Sequence, residues 1–390
     1  MSAAPAGGAG ARWLGLDALR GLSIAAMILV NNPGRWGARW QYPPLRHADW
    51  HGCTFTDLVF PTFLFCAGVA IVPAFSKQLA AGGPRAPLLW KPGRRVLSLV
   101  LLGMFLSAFP LVTFAAGEPL FGPLLDTRVP GVLQRIGVCY GLAALLFLFT
   151  TVRTQRLVLW GCLLLYWPLI TLVPVPGFGP PDLADPMGTL QGYVDRAVFG
   201  EHIWVKGKYD PEGLLSTIPA VATCLFGVEA GRVLRREPDA AVKVAWLLRT
   251  GALCTALGAV WGWFLPVNKY LWTSSYAVFT AGIATTGLGL CVWAFEQRSM
   301  RRLAHPLQVY GTNALLVFVG SGLVGRTIAS LVTVPAGDGA RLSLKEWFFR
   351  SVLLPIGDER LASLAFACLW ILAWYAVLAW LYRKNLVWKV

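Results

Sequence analysis

The apolar residues of this chain fall in long runs separated by polar loops, rather than in the short periodic patterns of a soluble fold. Ten of these runs come close to the ~20 residues that an α-helix needs to cross a bilayer. They lie at 14–31, 54–75, 96–115, 130–150, 157–174, 214–231, 245–265, 273–295, 306–325 and 362–382. The pattern predicts an all-α integral membrane protein with about ten transmembrane helices.

Composition points to the same class of protein. The 390 residues are 56% hydrophobic and only 14% charged, whereas a soluble domain carries about 25% charged residues. A soluble fold of this size has no interior large enough for so much apolar surface. We expect a single transmembrane domain at 14–390. It follows a flexible tail at 1–13. The first apolar run has no evident signal-peptide cleavage site, so we expect it to be a retained first span.

The loops differ in their content of Lys and Arg. With the N-terminus in the cytoplasm, the cytoplasmic segments carry most of these residues, and the opposite side holds the acidic loop 175–213. Cytoplasmic loops of membrane proteins are enriched in Lys and Arg, so we predict that both termini are cytoplasmic. The loop 32–53 then lies at the outer face. The net charge of +15 is explained by topology, and we expect no nucleic-acid partner.

Several polar residues lie inside or at the ends of the apolar runs, where their desolvation is costly. The set includes Asn31, Asp57, Arg135, Asn268, Lys269 and Asn313. Each one alone has an ordinary explanation, such as a helix cap, a snorkelling cation or an interhelical hydrogen bond. Together they predict a polar cavity in the helix bundle, which suits a transporter as well as a membrane enzyme.

Two of the four histidines, His47 and His51, lie in the loop before the second span, with Asp49 between them. Their i, i+4 spacing would suit zinc on a helix, but no third ligand is close and two upstream prolines favour an irregular loop. We therefore expect no metal. The residues leave two interpretations open: solvated loop histidines, or a general base oriented by Asp49, Asp57 or a backbone carbonyl.

Six segments of the chain resemble the heparan-α-glucosaminide N-acetyltransferase family, in the family's order. They read LDALRGLSIAAMILVNNPG, HADWHGCTFTDLVFPTFLF, RVPGVLQRIGVCY, YDPEGLLSTIPAVATCLFGVEAG, PVNKYLWTSSY and GTNALLVFVG. The resemblance is to a short bacterial member. It implies a multi-pass protein of the bacterial inner membrane, with 14–390 forming one acyltransferase domain and His47 towards the periplasmic side.

The resemblance also implies an activity and a set of site residues. A member of this family takes acetyl from cytosolic acetyl-CoA, the co-substrate, and N-acetylates an amino sugar of the glucosamine type, or a related glycan, at the outer face. R-H-A-D-W-H-G matches the family motif around the catalytic histidine, which implies His47, and Asn31 matches an asparagine near the acyl group. Asp57 is expected to orient the imidazole. The expected acetyl-CoA-binding residues are Asn268, Lys269, Asn313 and Arg135.

The alternative interpretation of the same cavity is an amino-sugar permease, or a permease-associated membrane protein without catalysis. The expected partners are acetyl-CoA, the amino sugar and the lipid bilayer. The sequence leaves open the physiological acceptor, direct transfer against an acetyl-histidine intermediate, and the oligomeric state, a homodimer included.

Overall fold

The computed structural model describes residues 13–112, 119–298, 300–335 and 341–388. Most of them are helical, and two short strands, β1 (Thr333–Pro335) and β2 (Arg341–Ser343), form an antiparallel pair. Residues 1–12 of the predicted tail lie outside the described part of the chain, and Trp13 packs against the core. The predicted all-α membrane class is confirmed by this architecture.

The described α-helices are α1 (Leu14–Asn31), α2 (Phe55–Ala80), α3 (Trp90–Ala108), α4 (Gly122–Leu125), α5 (Val132–Phe149), α6 (Val152–Leu172), α7 (Leu190–Phe199), α8 (Thr217–Arg236), α9 (Ala240–Trp261), α10 (Ser274–Val292), α11 (Arg301–Thr312), α12 (Ala314–Arg326), α13 (Leu344–Phe348) and α14 (Glu359–Arg383). The π-helical turns Trp293–Gln297, Thr327–Leu331 and Phe349–Leu353 follow α10, α12 and α13. The 3-10 turns are Pro43–Leu45, Ala86–Leu89, Pro186–Gly188 and Leu354–Ile356.

Within the described ranges, nine helices are long and apolar enough to cross a membrane. They are α1, α2, α5, α6, α8, α9, α10 with its π turn, α12 with its π turn, and α14. The predicted span 96–115 corresponds to α3, whose first turns carry Lys91, Arg94 and Arg95. These cations keep α3 out of the nine, and residues 113–115 of that prediction lie outside the described residues.

The predicted span 306–325 is not one continuous helix, because α11 and α12 meet at Asn313, whose φ of −118° and ψ of 38° are not helical. The Asn313 amide donates a hydrogen bond to the Leu386 carbonyl at 3.0 Å and accepts one from the Trp388 amide at 2.9 Å. An asparagine side chain competes with the backbone for hydrogen bonds and favours such interruptions. The C-terminal segment therefore stabilises the break.

Glycines allow the central helices to pack backbone against backbone. A Cβ at Gly68 of α2 would lie 1.9 Å from the carbonyl oxygen of Cys224 in α8, and one at Gly227 would lie 2.1 Å from that of Phe65. Small residues at such crossings are typical of helix packing in membranes. The close packing makes α2 a fixed support for the residues at its N-terminus.

The histidine face is the end of the bundle formed by loops 32–54, 173–216 and 262–273. The Gly52 amide donates to the Val267 carbonyl at 2.7 Å, and the Gly34 amide donates to the Ser363 carbonyl at 3.1 Å. These bonds join the loop between α1 and α2 to the loop before α10 and to the start of α14. Which end of the bundle faces the cytoplasm stays a prediction from the distribution of Lys and Arg.

Candidate active site

The N-terminus of α2 holds Asp57 in a fixed position. Thr54 caps the helix, and its amide donates to Asp57 Oδ2 at 3.0 Å, while its hydroxyl donates to the Arg46 carbonyl at 2.6 Å. The amide of Ala48 donates to the same oxygen at 3.0 Å. The carboxylate is fully buried and lies in the first turn, where the helix dipole favours negative charge. The capping box therefore orients Asp57 towards the preceding loop.

His47 is the hydrogen-bond partner of this carboxylate. Its Nδ1 lies 2.6 Å from Asp57 Oδ1, and its side chain is 38% exposed. A carboxylate that already accepts from the Thr54 and Ala48 amides is an acceptor for the imidazole as well, so we assign the proton to Nδ1. Nε2 then carries the lone pair of the unprotonated ring nitrogen. A base held by a buried carboxylate in this way is the arrangement that acyl-transfer enzymes use.

Loop 262–273 is bonded to loop 32–54, which we call the histidine loop, and it brings Lys269 to the imidazole of His47. Tyr270 donates its hydroxyl to the Ala48 carbonyl at 2.9 Å, and its ring stacks on Trp50 with centroids 5.3 Å apart. Lys269 Nζ lies 3.2 Å from Nδ1 and 3.2 Å from Nε2 of His47. Burial lowers the pKa of Lys269, although the carboxylates of Glu212 and Asp57 oppose that shift.

Asn268 and His51 form a separate contact between the same two loops. Asn268 is fully buried, its Nδ2 lies 3.2 Å from His51 Nδ1, and its Oδ1 accepts a hydrogen bond from the Leu271 amide at 2.8 Å. Burial lowers the pKa of His51, with the charge of Asp182 acting against it. The Asn268 side chain thus supports the two loops and does not point at the imidazole of His47.

A network of acidic and basic side chains extends from Lys269 across the histidine face. Arg128 Nε donates to Asp210 Oδ2 at 2.8 Å, and Arg128 also forms an ion pair with Glu212. Burial alone would raise the pKa of Glu212, but the charges of Arg128, Lys269 and Arg135 outweigh it and hold that pKa below its ordinary value. Glu212 therefore remains a carboxylate beside Lys269.

Sequence reasoning missed Arg128, Asp210 and Glu212 as site residues. Arg128 lies more than 80 residues before Glu212 in the chain, and no local pattern connects them. A signal was nevertheless present, because RVPG begins at Arg128 and YDPEG contains both acids, and both segments belong to the family resemblance.

A cavity of about 710 Å³ opens beside His47. We call its charged side the polar wall, which consists of Asn31, His47, Arg128, Glu212 and Lys269. We call another part of its lining the apolar wall, which includes Phe318, Gly322, Gly325, Phe366 and Trp370, from α12 and α14, with the cations Arg326 and Lys345 also lining the cavity. The cavity lining thus combines titratable groups with an apolar surface.

Below the cavity, a much smaller void is lined by Ile24, Met27, Phe63, Val132, Leu133, Ile136, Leu315 and Phe318. Met27, Val132 and Phe318 line both spaces. We call these three side chains the septum, because they separate the cavity from the void beneath it.

The predicted site residues are distributed unequally around the cavity. His47, Asn31 and Lys269 line it, and Asp57 lies directly behind His47. Arg135 and Asn313 are not among the described lining residues. Arg135 is buried against Trp272 and donates to the Gly213 carbonyl at 2.9 Å. Asn313 uses its amide to bind the C-terminal segment.

The sequence of this chain is similar to that of one known protein family. The family model described as "Heparan-alpha-glucosaminide N-acetyltransferase, catalytic" matches residues 12–260. The chain is 28% identical over 431 residues to the heparan-alpha-glucosaminide N-acetyltransferase of Homo sapiens, and 28% identical over 429 residues to that of Mus musculus. The alignments cover 96% of this chain, and 59% and 60% of those proteins. The chain thus spans about three fifths of the length of these curated relatives.

Proposed function

Because the chain belongs to the heparan-α-glucosaminide N-acetyltransferase family, whose model matches residues 12–260, we propose that it is an acetyl-CoA-dependent membrane N-acetyltransferase. Its acceptor is the amine of an amino sugar of the glucosamine type. The observation that carries this proposal is the His47–Asp57 pair, bonded at 2.6 Å on the wall of a cavity of about 710 Å³.

His47 acts as the base for the acceptor. The ammonium group of an amino sugar has no lone pair, and it must lose a proton before its nitrogen can attack a thioester. Nε2 of His47 accepts that proton, while Asp57 holds the ring and stabilises the imidazolium that forms. In this proposal Asn31, which also lines the cavity, donates its side-chain amide to the acyl group.

The cavity suits a thioester at the end of a flexible arm. Phe318, Gly322 and Trp370 of the apolar wall offer a surface for that arm. The cations Arg326 and Lys345, which also line the cavity, suit the anionic groups of a substrate. If acetyl-CoA comes from the face opposite His47, its pantetheine arm has to part the septum of Met27, Val132 and Phe318.

We propose that the histidine face is the outer, periplasmic face and that the opposite face takes up acetyl-CoA. Single cysteines in an otherwise cysteine-free chain test this orientation. Asp49→Cys, at a side chain that is 94% exposed, should react with an impermeant thiol reagent in intact cells. Gly83→Cys, where a side chain meets open space, should react only after permeabilisation. The opposite pattern would reverse the proposed direction of transfer.

An amino-sugar permease is the second candidate, because a cavity lined by polar and charged side chains such as His47, Arg128 and Glu212 also suits a transported sugar. Reconstituted vesicles separate the two functions. The enzyme should release free CoA from acetyl-CoA only when glucosamine is present, and the product should be N-acetylated. Uptake of labelled glucosamine without acetyl-CoA, and without release of CoA, would favour the permease.

A further inference from the structure

Beyond the proposed activity, we infer that Lys269 is a catalytic residue, because its ammonium group is placed to stabilise the oxyanion that forms from the thioester carbonyl. This inference rests on the proposed function, since it concerns the same acetyl transfer. It also gives Lys269 a different role from binding the phosphates of the co-substrate.

The geometry around His47 carries the inference. Lys269 Nζ lies 3.2 Å from both ring nitrogens of His47, against the face of the imidazole. Asp57 occupies Nδ1, so Nε2 is the nitrogen left to face the reacting atoms. An acyl carbon that an amine attacks beside Nε2 therefore has its oxygen within reach of Nζ. Donors 2.7–3.1 Å from the oxyanion position are the usual requirement for this kind of stabilisation.

The fold holds Nζ in place, because Lys269 is buried and is not a flexible side chain in solvent. Lys269 is only 9% exposed. Its neighbours are bonded to the histidine loop on both sides, by the Val267 carbonyl that accepts from the Gly52 amide and by the Tyr270 hydroxyl that donates to the Ala48 carbonyl. A preorganised donor of this kind needs no rearrangement when negative charge develops, which is the condition under which such groups lower a barrier most.

The step balances with the groups present. Nε2 removes a proton from the acceptor ammonium, and the amine nitrogen forms a bond to the thioester carbon. The π electrons of the carbonyl move to oxygen, where the Lys269 ammonium stabilises them. When the C=O bond re-forms, the C–S bond breaks, and the departing sulfur takes the proton from Nε2. The products are an N-acetyl amine, free CoA and the proton that the tetrahedral nitrogen releases.

Lys269 must be protonated for this role, so its neighbours matter. The carboxylates near it are Asp57 and Glu212, and the cations are Arg128 and Arg135. The other titratable groups nearby are His47, Cys53 and Tyr270. Burial raises the pKa of Cys53 to about 12 and also raises that of Tyr270. Burial lowers the pKa of Lys269, so the lysine loses its proton before either of them as pH rises.

The test compares Lys269→Met, Lys269→Arg and the control Lys206→Met in purified protein. Lys206 is a half-exposed lysine of the same face that pairs with Asp126, so its loss changes the net charge equally without contact with His47. We expect Lys269→Met to lower kcat by roughly 10²–10³, with CoA affinity and the acceptor KM changed by less than about threefold. Lys206→Met should behave as wild type.

The pH profile separates a charge from a structural role. Wild-type kcat should fall as pH rises through the pKa of Lys269, below the ordinary lysine value of 10.5. Lys269→Arg keeps its charge at every accessible pH, so it should be more active than Lys269→Met and lack that fall. A wild-type kcat that stays constant up to pH 10.5 overturns the inference, and so does an arginine variant as inactive as the methionine variant.

Two further outcomes distinguish this inference from the proposed function. If Lys269→Met loses CoA affinity and keeps kcat, the lysine binds the donor and the inference is wrong, although the enzyme assignment stands. If wild type acetylates no amino sugar, the slow hydrolysis of acetyl-CoA is compared instead, because water attack forms the same oxyanion. Hydrolysis that depends on Lys269 then supports the inference without the acceptor, and hydrolysis that does not depend on it overturns the inference.

Discussion

The two walls of the cavity differ in how firmly they are held. On the polar wall, His47 is bonded to Asp57 at the N-terminus of α2, and 14 of the 26 residues of that helix are buried. The apolar wall belongs mainly to α12 and α14, and only 22% of the span Ala314–Leu331 is buried. That span also begins at the break at Asn313 and ends in a π-helical turn.

This difference indicates that the two walls have different functions. Groups that exchange protons or stabilise charge must be held close to one geometry, and the polar wall is attached to the central helices. A wall along which the long pantetheine arm of acetyl-CoA enters and leaves has to adjust its shape. Substitutions in the polar wall should therefore lower kcat, and substitutions in the apolar wall or the septum should alter KM.

The largest expected effect is at Asp57. Asp57→Asn removes the carboxylate that fixes the proton on Nδ1 of His47, so kcat should fall by about 10²–10⁴, with CoA affinity retained. The matched control is Asp49→Asn in the same loop, whose side chain is 94% exposed and lies 3.3 Å from Arg46. Equal activities of the two variants would show that the buried carboxylate has no special role.

The next effect is on stability, at the ion pair between Glu212 and Arg128. Glu212→Gln leaves the buried Arg128 guanidinium with less compensation, and we expect a lower thermal midpoint with a free-energy cost of about 1–3 kcal/mol. The pKa of Glu212 is lowered in the folded protein, so its contribution is present above the unfolded pKa. That contribution is lost as pH falls through the folded pKa.

Thermal midpoints of wild type and Glu212→Gln between pH 3 and pH 7 measure this directly. The two curves should be furthest apart near neutral pH and converge in acid. Curves that stay parallel would contradict the sign derived for Glu212.

The smallest effect is expected at the septum. Val132→Phe adds bulk where the cavity meets the void beneath it, and it should raise the KM for acetyl-CoA by roughly 3- to 10-fold with little change in kcat. Val138→Phe, on the exposed side of the same helix, is the control. An unchanged KM in Val132→Phe would indicate that the donor does not pass the septum.

The membrane class was predictable because hydrophobic runs must match the thickness of a bilayer. The pairing of His47 with Asp57 was also within reach, since the two residues are ten positions apart and Asp57 opens a helix. The role of Asn313 was not predictable from the sequence. Its partners are backbone atoms of Leu386 and Trp388, more than 70 residues away, and nothing in a polar residue itself indicates whether it binds a ligand or the chain.

Contacts between distant loops were the part that sequence reasoning could not supply. Lys269 was singled out as a polar residue, but its contact with His47 depends on the pairing of Gly52 with Val267 across more than 200 residues. The family resemblance placed both loops in the site without showing that they touch. The charge network of Arg128 and Glu212 was missed for the same reason.

The central claim is that His47 is the base of an acetyl transfer, and turnover of His47→Ala tests it most directly. Purified wild type, His47→Ala and His51→Asn should be compared for CoA release with glucosamine as acceptor, together with CoA affinity. His47→Ala should lose about 10²–10⁴ in turnover and keep its CoA affinity. His51→Asn should lose much less, since an asparagine can still accept the hydrogen bond from Asn268. Wild-type turnover by His47→Ala, or a dead His51→Asn beside an active His47→Ala, would contradict the account.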